Sequence, residues 1–353
     1  MSLTVRIKKR CGDFFLDAAF TAGKERPTAL LGASGSGKSM TLKCIAGIER
    51  PDEGHIELDG RVLYDSETGI DLPPQRRQVG YLFQEYALFP NMTVEQNIAA
   101  GARRMKRTDR TRRVRELTAM LRLDGLEKLR PSQLSGGQRQ RTALARLLAS
   151  EPAAILLDEP LSALDSGLRW RLEEELRELL SDFTGPVVWV THDWGEAYRD
   201  CGAACVLDNG RSQPAADMET LTRRPPTVSA ARLAGCRTFV PARPGISAGL
   251  VDVPDWGVTL RCAAPWREGV TTLAVWGRDL RPTEPGMVNA MSCRILGATA
   301  DVDRSYIRLR PLSGREGCPA LEMEGGRDLA SRLAGREHVT IAADPEKWLL
   351  LTE

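Results

Sequence analysis

Eight residues, GASGSGKS at 32–39, constrain this chain more than any other stretch. They follow a short apolar run, TALL at 28–31, and feed MTLKCIAGI, where apolar residues recur at helical spacing. A glycine-rich turn between a strand and a helix lets successive backbone N–H groups converge on phosphate oxygens. The helix start adds the positive end of its dipole. Gly32, Ser34, Gly35, Ser36, Gly37 and, through its backbone N–H, Met40 are expected to line that cradle. Lys38 is expected to reach the outer phosphates, and the Ser39 hydroxyl to hold Mg2+.

Two further apolar runs look like buried strands: AAILLDEP at 153–160, which stops at acids and proline, and GPVVWVTHD at 185–193. Between them Leu168, Leu172, Leu176, Leu179 and Leu180 form a helical stripe, as do Leu144, Leu147 and Leu148 before the first run. Alternating strands and helices predict a mixed α/β domain. Asp158, at a strand's end, suits a magnesium shell. Side chains alternate along a strand, so Glu159 points elsewhere and suits the deprotonation of water.

Forty-nine basic residues against 47 acidic ones leave a charge of +2, which gives no bulk case for nucleic acid. The basic run ARRMKRTDRTRRVR at 102–115 lacks interleaved aromatics and reads as a solvated helix face. No apolar run spans a bilayer and the first residues lack a secretory core, so a cytoplasmic location is expected. Eight cysteines form no C-x-x-C pair and only three histidines are present, which argues for reduced structural thiols and against a zinc or histidine-rich metal site. Around TRRPPTVSA at 222–230 long helical stripes give way to short strand-like runs such as GVTLRC, VTTLAVW, SYIRLRP and HVTIAA. The expected division is 1–228 and 229–353, the second part β-rich, in two weakly similar lobes at 236–288 and 289–353. RDLASRLAG at 327–335 is its helical candidate.

A second glycine-rich helix start, QLSGGQRQRTALA at 133–145, raises the question of why one chain carries two anion sites. The phosphate loop, YLFQEYALFP with Gln84, LSGGQ at 134–138, ILLDEP, SALD at 162–165 and VTHD with His192 occur in that order. Together they resemble the nucleotide-binding subunits of ABC transporters. The resemblance covers residues 1 to about 230 and rests most on LSGGQ. It implies a P-loop NTPase of ABC type: a RecA-like core with a helical subdomain and an antiparallel β subdomain, followed by a small all-β, OB-like barrel. It further implies a head-to-tail homodimer in which Ser135, Gly136, Gly137 and Gln138 of one copy face the ATP held by Lys38 of the other. The second anion site then belongs to the neighbour's nucleotide.

By the same resemblance Gln84 senses the metal and the attacking water, His192 contacts the γ-phosphate, and Asp165 links the two active sites. The region Gln84–Asn97 is expected to touch integral-membrane permease subunits, with an extracytoplasmic substrate-binding protein as an indirect partner. That places the chain on the inner face of the membrane. The stretch 58–98 looks most like molybdate-importer subunits, with sulfate and tungstate relatives close by; ferric iron, polyamine or sugar import, or a soluble ABC ATPase, are the alternatives. The C-terminal part is similar to β-barrel domains related to molybdate-binding modules, which implies either a regulatory oxyanion there or a dimerisation and spacer role. The chain departs from the family at Met40, where many members carry Ser or Thr, and at Cys11, where most place an adenine-stacking aromatic; Phe14 and Phe15 are displaced from that position.

Overall fold

The computed structural model of the chain describes residues 1–162 and 166–353. Asp165 therefore lies outside the described residues, as does the side chain of Leu168. The chain divides into two compact units, Met1–Met218 and Glu219–Glu353.

The first unit is built on one large mixed sheet. Its centre is parallel, in the order Val79–Leu82, Ala154–Asp158, Val187–Thr191, Thr28–Leu31, Ala203–Asp208. Ala154–Asp158 and Val187–Thr191 are buried at every residue, which is why they read as continuous apolar runs rather than alternating ones. The long hairpin Ser2–Cys11 and Phe14–Gly23 pairs antiparallel and continues through Glu53–Leu58 and Arg61–Asp65. These strands alternate between buried and exposed residues, and their inner faces (Leu3, Val5, Ile7, Leu16) join the core that packs Leu42, Cys44 and Ile45 of the helix Lys38–Ala46.

That helix ends at Gly47, whose φ of 78° is left-handed. A Cβ there would sit 2.5 Å from Nε of Arg77, so only glycine fits both the turn and the neighbour. Arg77 is fully buried and caps the helix: it donates to the carbonyls of Cys44 and Ile45, to that of Leu72, and to Asp71.

The longer helices besides it are Val94–Gly101, Arg107–Met120, Gly136–Leu148 and Ser166–Ser181. Leu172, Leu176 and Leu180 are buried on the last of these, and Leu144, Leu147 and Leu148 on Gly136–Leu148, along the expected stripes. The basic run at 102–115 lies mostly on Arg107–Met120, where Arg112 pairs with Asp109 and Glu116 on the exposed face. Among the described residues no helix is long and apolar enough to cross a membrane.

The second unit is all antiparallel in its named sheets. Thr238–Pro241 and Trp348–Thr352 flank Val270–Val275, and a second sheet orders Arg243–Pro244, Leu250–Val253 and Val258–Arg261. A five-stranded sheet carries Met291–Ala300 between His338–Ala342 and Arg304–Pro311. Because the last strand of the chain joins the sheet of Val270–Val275, and Arg281–Pro282 pairs with His338–Ala342, the sheets draw on both sides of residue 288. The core centres on Trp256 and Trp348, whose rings meet edge-on at 6.3 Å. Asp328–Leu333 is helical, as its spacing predicts.

Candidate nucleotide site

In a parallel sheet every strand delivers its carboxyl end to the same edge, and function gathers there. Gln84 follows Val79–Leu82, Asp158 and Glu159 end the next strand, His192 follows Val187–Thr191, and the glycine loop follows Thr28–Leu31. Four neighbouring strands thus bring residues from four parts of the chain to one cavity of about 740 Å³, lined by Lys38, Ser39, Met40, Gln84, Glu159 and His192 among others. Cys11 and Phe14, from the turn of the first hairpin, also line it.

Gly37 closes the loop and opens the helix at φ 104°. A Cβ at that position would lie 2.9 Å from Leu16 and 3.1 Å from Phe14, so neither the backbone nor the packing tolerates a larger residue. Lys38 is buried and folds back over the loop, donating to the carbonyls of Gly32 at 2.9 Å and Ala33 at 2.8 Å. Burial pulls its pKa down, against the carboxylates of Glu159 and Asp158, which pull it up. Ser36 Oγ is buried without a hydrogen-bond partner. A buried hydroxyl that the protein leaves unpaired, next to a lysine held over backbone carbonyls, fits an anion with several acceptor oxygens.

Asp158 is the last residue of its strand and Glu159 lies past it, so the two side chains part at the turn and not by strand alternation. The Ser39 hydroxyl donates to Asp158 Oδ1 at 3.0 Å, and the Tyr81 hydroxyl donates to Oδ2 at 2.8 Å. Burial raises the Asp158 pKa and those two hydrogen bonds oppose it. A carboxylate and a hydroxyl already in contact, both hard oxygen donors, fit a magnesium ion that keeps other positions for water and phosphate.

Glu159 itself takes a left-handed φ of 46°, an uncommon state for a residue with a Cβ. The turn is pinned by Ser162, whose amide and hydroxyl both donate to the Glu159 carbonyl. So placed, its carboxylate stands between two partners: Gln84 Nε2 at 3.5 Å on one oxygen and His192 Nδ1 at 3.3 Å on the other. Tyr81 was missed by sequence reasoning; a hydroxyl inside an otherwise aliphatic strand was the available signal.

Ser135–Gln138 stand elsewhere. Ser135 caps the helix Gly136–Leu148, accepting from the Gln138 amide at 3.3 Å while Gln138 Oε1 accepts from the Ser135 amide at 2.8 Å. Ser135 and Gly137 line a separate cavity of about 470 Å³ with Arg122, Arg141 and Trp170. Glu174, Glu175 and Glu178 line it as well, and it is distinct from the cavity at Lys38.

Residues 15–162 match the profile of the ABC transporter family. The molybdate/tungstate import ATP-binding protein WtpC of Archaeoglobus fulgidus is 45% identical over 211 residues, covering 60% of this chain and 85% of that protein. This chain belongs to the ABC transporter ATPases.

Other relatives differ in their names. The molybdenum import ATP-binding protein ModC of Paramagnetospirillum magneticum is 39% identical over 63% of this chain and 61% of its own length. The spermidine/putrescine import ATP-binding protein PotA of Acidothermus cellulolyticus is 38% identical over 78% of this chain and 72% of its own. A solved dimeric ATP-binding cassette in a post-hydrolysis state with ADP and Pi superposes at a TM-score of 0.53 and 28% identity, covering 62% of this chain and 99% of that one. The P-loop fold of ABC type, mixed α/β and followed by antiparallel sheets, is therefore the fold of this chain.

Proposed function

We propose that this chain is the ATP-hydrolysing subunit of an importer, working as a head-to-tail homodimer. The observation that carries this is the Glu159 carboxylate held between Gln84 and His192, beside the Lys38 loop and the Ser39–Asp158 pair. Lys38 and the loop amides bind the phosphates of ATP, with Gly32, Ser34, Gly35, Gly37 and Met40 contributing backbone. Ser39, Asp158 and Gln84 hold Mg2+, which neutralises charge on the phosphates when bound. Glu159 takes the proton of a water that attacks the γ-phosphorus; the bond to the bridging oxygen breaks and ADP and Pi leave. His192 and Gln84 orient that water and the γ-phosphate around the carboxylate.

Ser135 and Gly137 open a helix apart from the Lys38 loop, and that separation supports a partner's nucleotide as their ligand, with ATP acting as the link across the dimer. Asp165 is assigned to communication across that seam. Membrane permease subunits are the partners we assign to the segment from Gln84 to Asn97. Molybdate or a related oxyanion is the cargo favoured by the names of the relatives WtpC and ModC. A polyamine cargo is the second reading, because the similarity to PotA runs over 280 residues, further than to either.

The test is steady-state ATP hydrolysis by the full chain and by Glu159→Gln. The variant is expected to bind ATP normally and to hydrolyse it at least about 100-fold more slowly, the size of a lost general base. Equal rates would remove the role given to Glu159. Copurification with a permease, followed by uptake of molybdate against spermidine, decides the cargo.

A further inference from the structure

The loop leading away from Gln84 turns a corner on two successive non-glycine residues at positive φ, Tyr86 at 61° and Ala87 at 44°. Residues with a Cβ avoid that region, so something must hold them there. Locally the Tyr86 amide donates to Phe83 O at 2.8 Å and the Ala87 amide to Glu85 O at 2.7 Å. The rest comes from a side chain about 60 residues further on.

Arg146, in the last turn of the helix Gly136–Leu148, donates Nη2 to Tyr86 O at 3.0 Å and Nη1 to Ala87 O at 2.8 Å. Its guanidinium lies 5.1 Å from the ring centroid of Phe89. From the same helix, fully buried Gln140 accepts from the Tyr86 hydroxyl at 3.4 Å. Among the described residues no carboxylate forms an ion pair with Arg146, and burial alone pulls its pKa down. A half-buried cation that pairs with no described acid, spent on two carbonyls of one strained corner, is an unusual use of arginine. The two-pronged donor geometry is what a lysine lacks.

Gln84 stands two residues before this corner, so the corner sets where its amide points. The helix that grips the corner is the one that Ser135 caps, and it joins Ser135 rigidly to Arg146 over about 16 Å. We infer that Arg146 is a positioning residue for Gln84, tying the helix that Ser135 caps to the loop that faces Glu159. This rests on the role proposed above for Gln84.

The test compares the full-length chain with Arg146→Lys, Gln84→Ala, the pair together, and Arg146→Lys combined with Ala87→Gly. Arg146→Lys is expected to lower kcat about 10-fold or more, with KM for ATP and the equilibrium binding of ATP changed less than about twofold. Amide exchange across residues 85–89 is expected to quicken about 10-fold while the helix stays protected. Glycine tolerates positive φ, so Ala87→Gly is expected to bring kcat back to within about threefold of the parent, which lost packing alone would not allow. Combining Arg146→Lys with Gln84→Ala is expected to add nothing to Gln84→Ala.

Unchanged exchange at 85–89, or no recovery with Ala87→Gly, overturns the inference. Should Arg146→Lys not fold, the double variant with glycine is expected to fold, and its failure overturns the inference too. A parent-like rate for Gln84→Ala alone would instead remove the role given to Gln84, while the exchange data still judge the clamp.

Discussion

Arg77 offers the sharpest link between sequence and the stability of the nucleotide loop. It is fully buried and donates to Leu72 O at 2.6 Å, Cys44 O at 2.8 Å, Ile45 O at 3.0 Å and Asp71 at 2.9 Å. Replacing it with methionine keeps most of the volume and removes every donor. The Cys44 carbonyl keeps the Gly47 amide at 3.2 Å, whereas the carbonyls of Leu72 and Ile45 lose the donor described here, at about 1 kcal/mol or more each. Losing the cation at a helix C-terminus adds about 0.3–1 kcal/mol. Asp71 is 36% exposed and recovers water, so its freed charge adds little. The expected sum is about 2–4 kcal/mol.

Local amide exchange reads this better than global melting, because the chain holds two units and a single transition is not assured. Protection in Lys38–Ala46 and Thr28–Leu31 is expected to fall by about 30-fold or more, since about 1.4 kcal/mol is tenfold. Arg77→Lys, which keeps the charge but not the fork, is expected to lose about half as much in free energy. A loss of less than about fivefold for Arg77→Met would show that water or a rearranged neighbour satisfies those carbonyls, and the capping argument would fall.

Two other outcomes follow from burial and charge. Of the eight cysteines only Cys11 is exposed, whereas burial pushes Cys44, Cys205, Cys262 and Cys293 up to about 12. A thiol-reactive dye at pH 8 is expected to count one fast thiol in the native chain and eight in denaturant, with ATP slowing the fast one because Cys11 lines the nucleotide cavity. More than two fast native thiols would contradict the packing described.

His55 lies 2.9 Å from Asp65 and 3.4 Å from Glu57, and the hydrogen bond to Asp65 is the main cause raising its pKa above the ordinary 6.5. A raised histidine stabilises the fold fully below about pH 6.5, and that contribution is lost as pH rises through the folded value. The site is one-third exposed, so the effect is under about 1 kcal/mol. Between pH 6 and 9 the amide protection of Glu53–Leu58 in the parent, corrected for intrinsic exchange, is expected to fall by up to about fivefold relative to His55→Gln; parallel profiles would refute the pairing.

The nucleotide site was legible because its residues sit where short-range patterns are strongest. Gly37, Lys38 and Ser39 follow a strand, and Asp158, Glu159 and His192 end strands whose apolar runs announce themselves. A parallel sheet then aligns those ends without any further information. What the sequence hid depends on which segment lies beside which. The Tyr81–Asp158 contact joins residues 77 apart, Arg77 reaches back 33 to Cys44, and Arg146 reaches back 60 to Tyr86. Periodicity assigns a face to each residue but never names its neighbour across the gap.

The second unit shows the same limit. The short apolar runs VTTLAV, SYIRLRP and HVTIA mark strands correctly, yet nothing local pairs Val270–Val275 with the last strand of the chain. The three long-range contacts in the first unit share one more property: each brings a hydroxyl or a guanidinium to a backbone carbonyl or a carboxylate of a distant segment. Such residues look like ordinary surface chemistry in the sequence, because arginine and tyrosine are so often exposed there. Arg77 is fully buried and Tyr81 and Arg146 are half-buried, and all three lie around the elements that carry Lys38, Asp158 and Gln84. What they touch is the informative fact, because the backbone carbonyls and the carboxylate they bind belong to segments that no local pattern in the sequence places beside them.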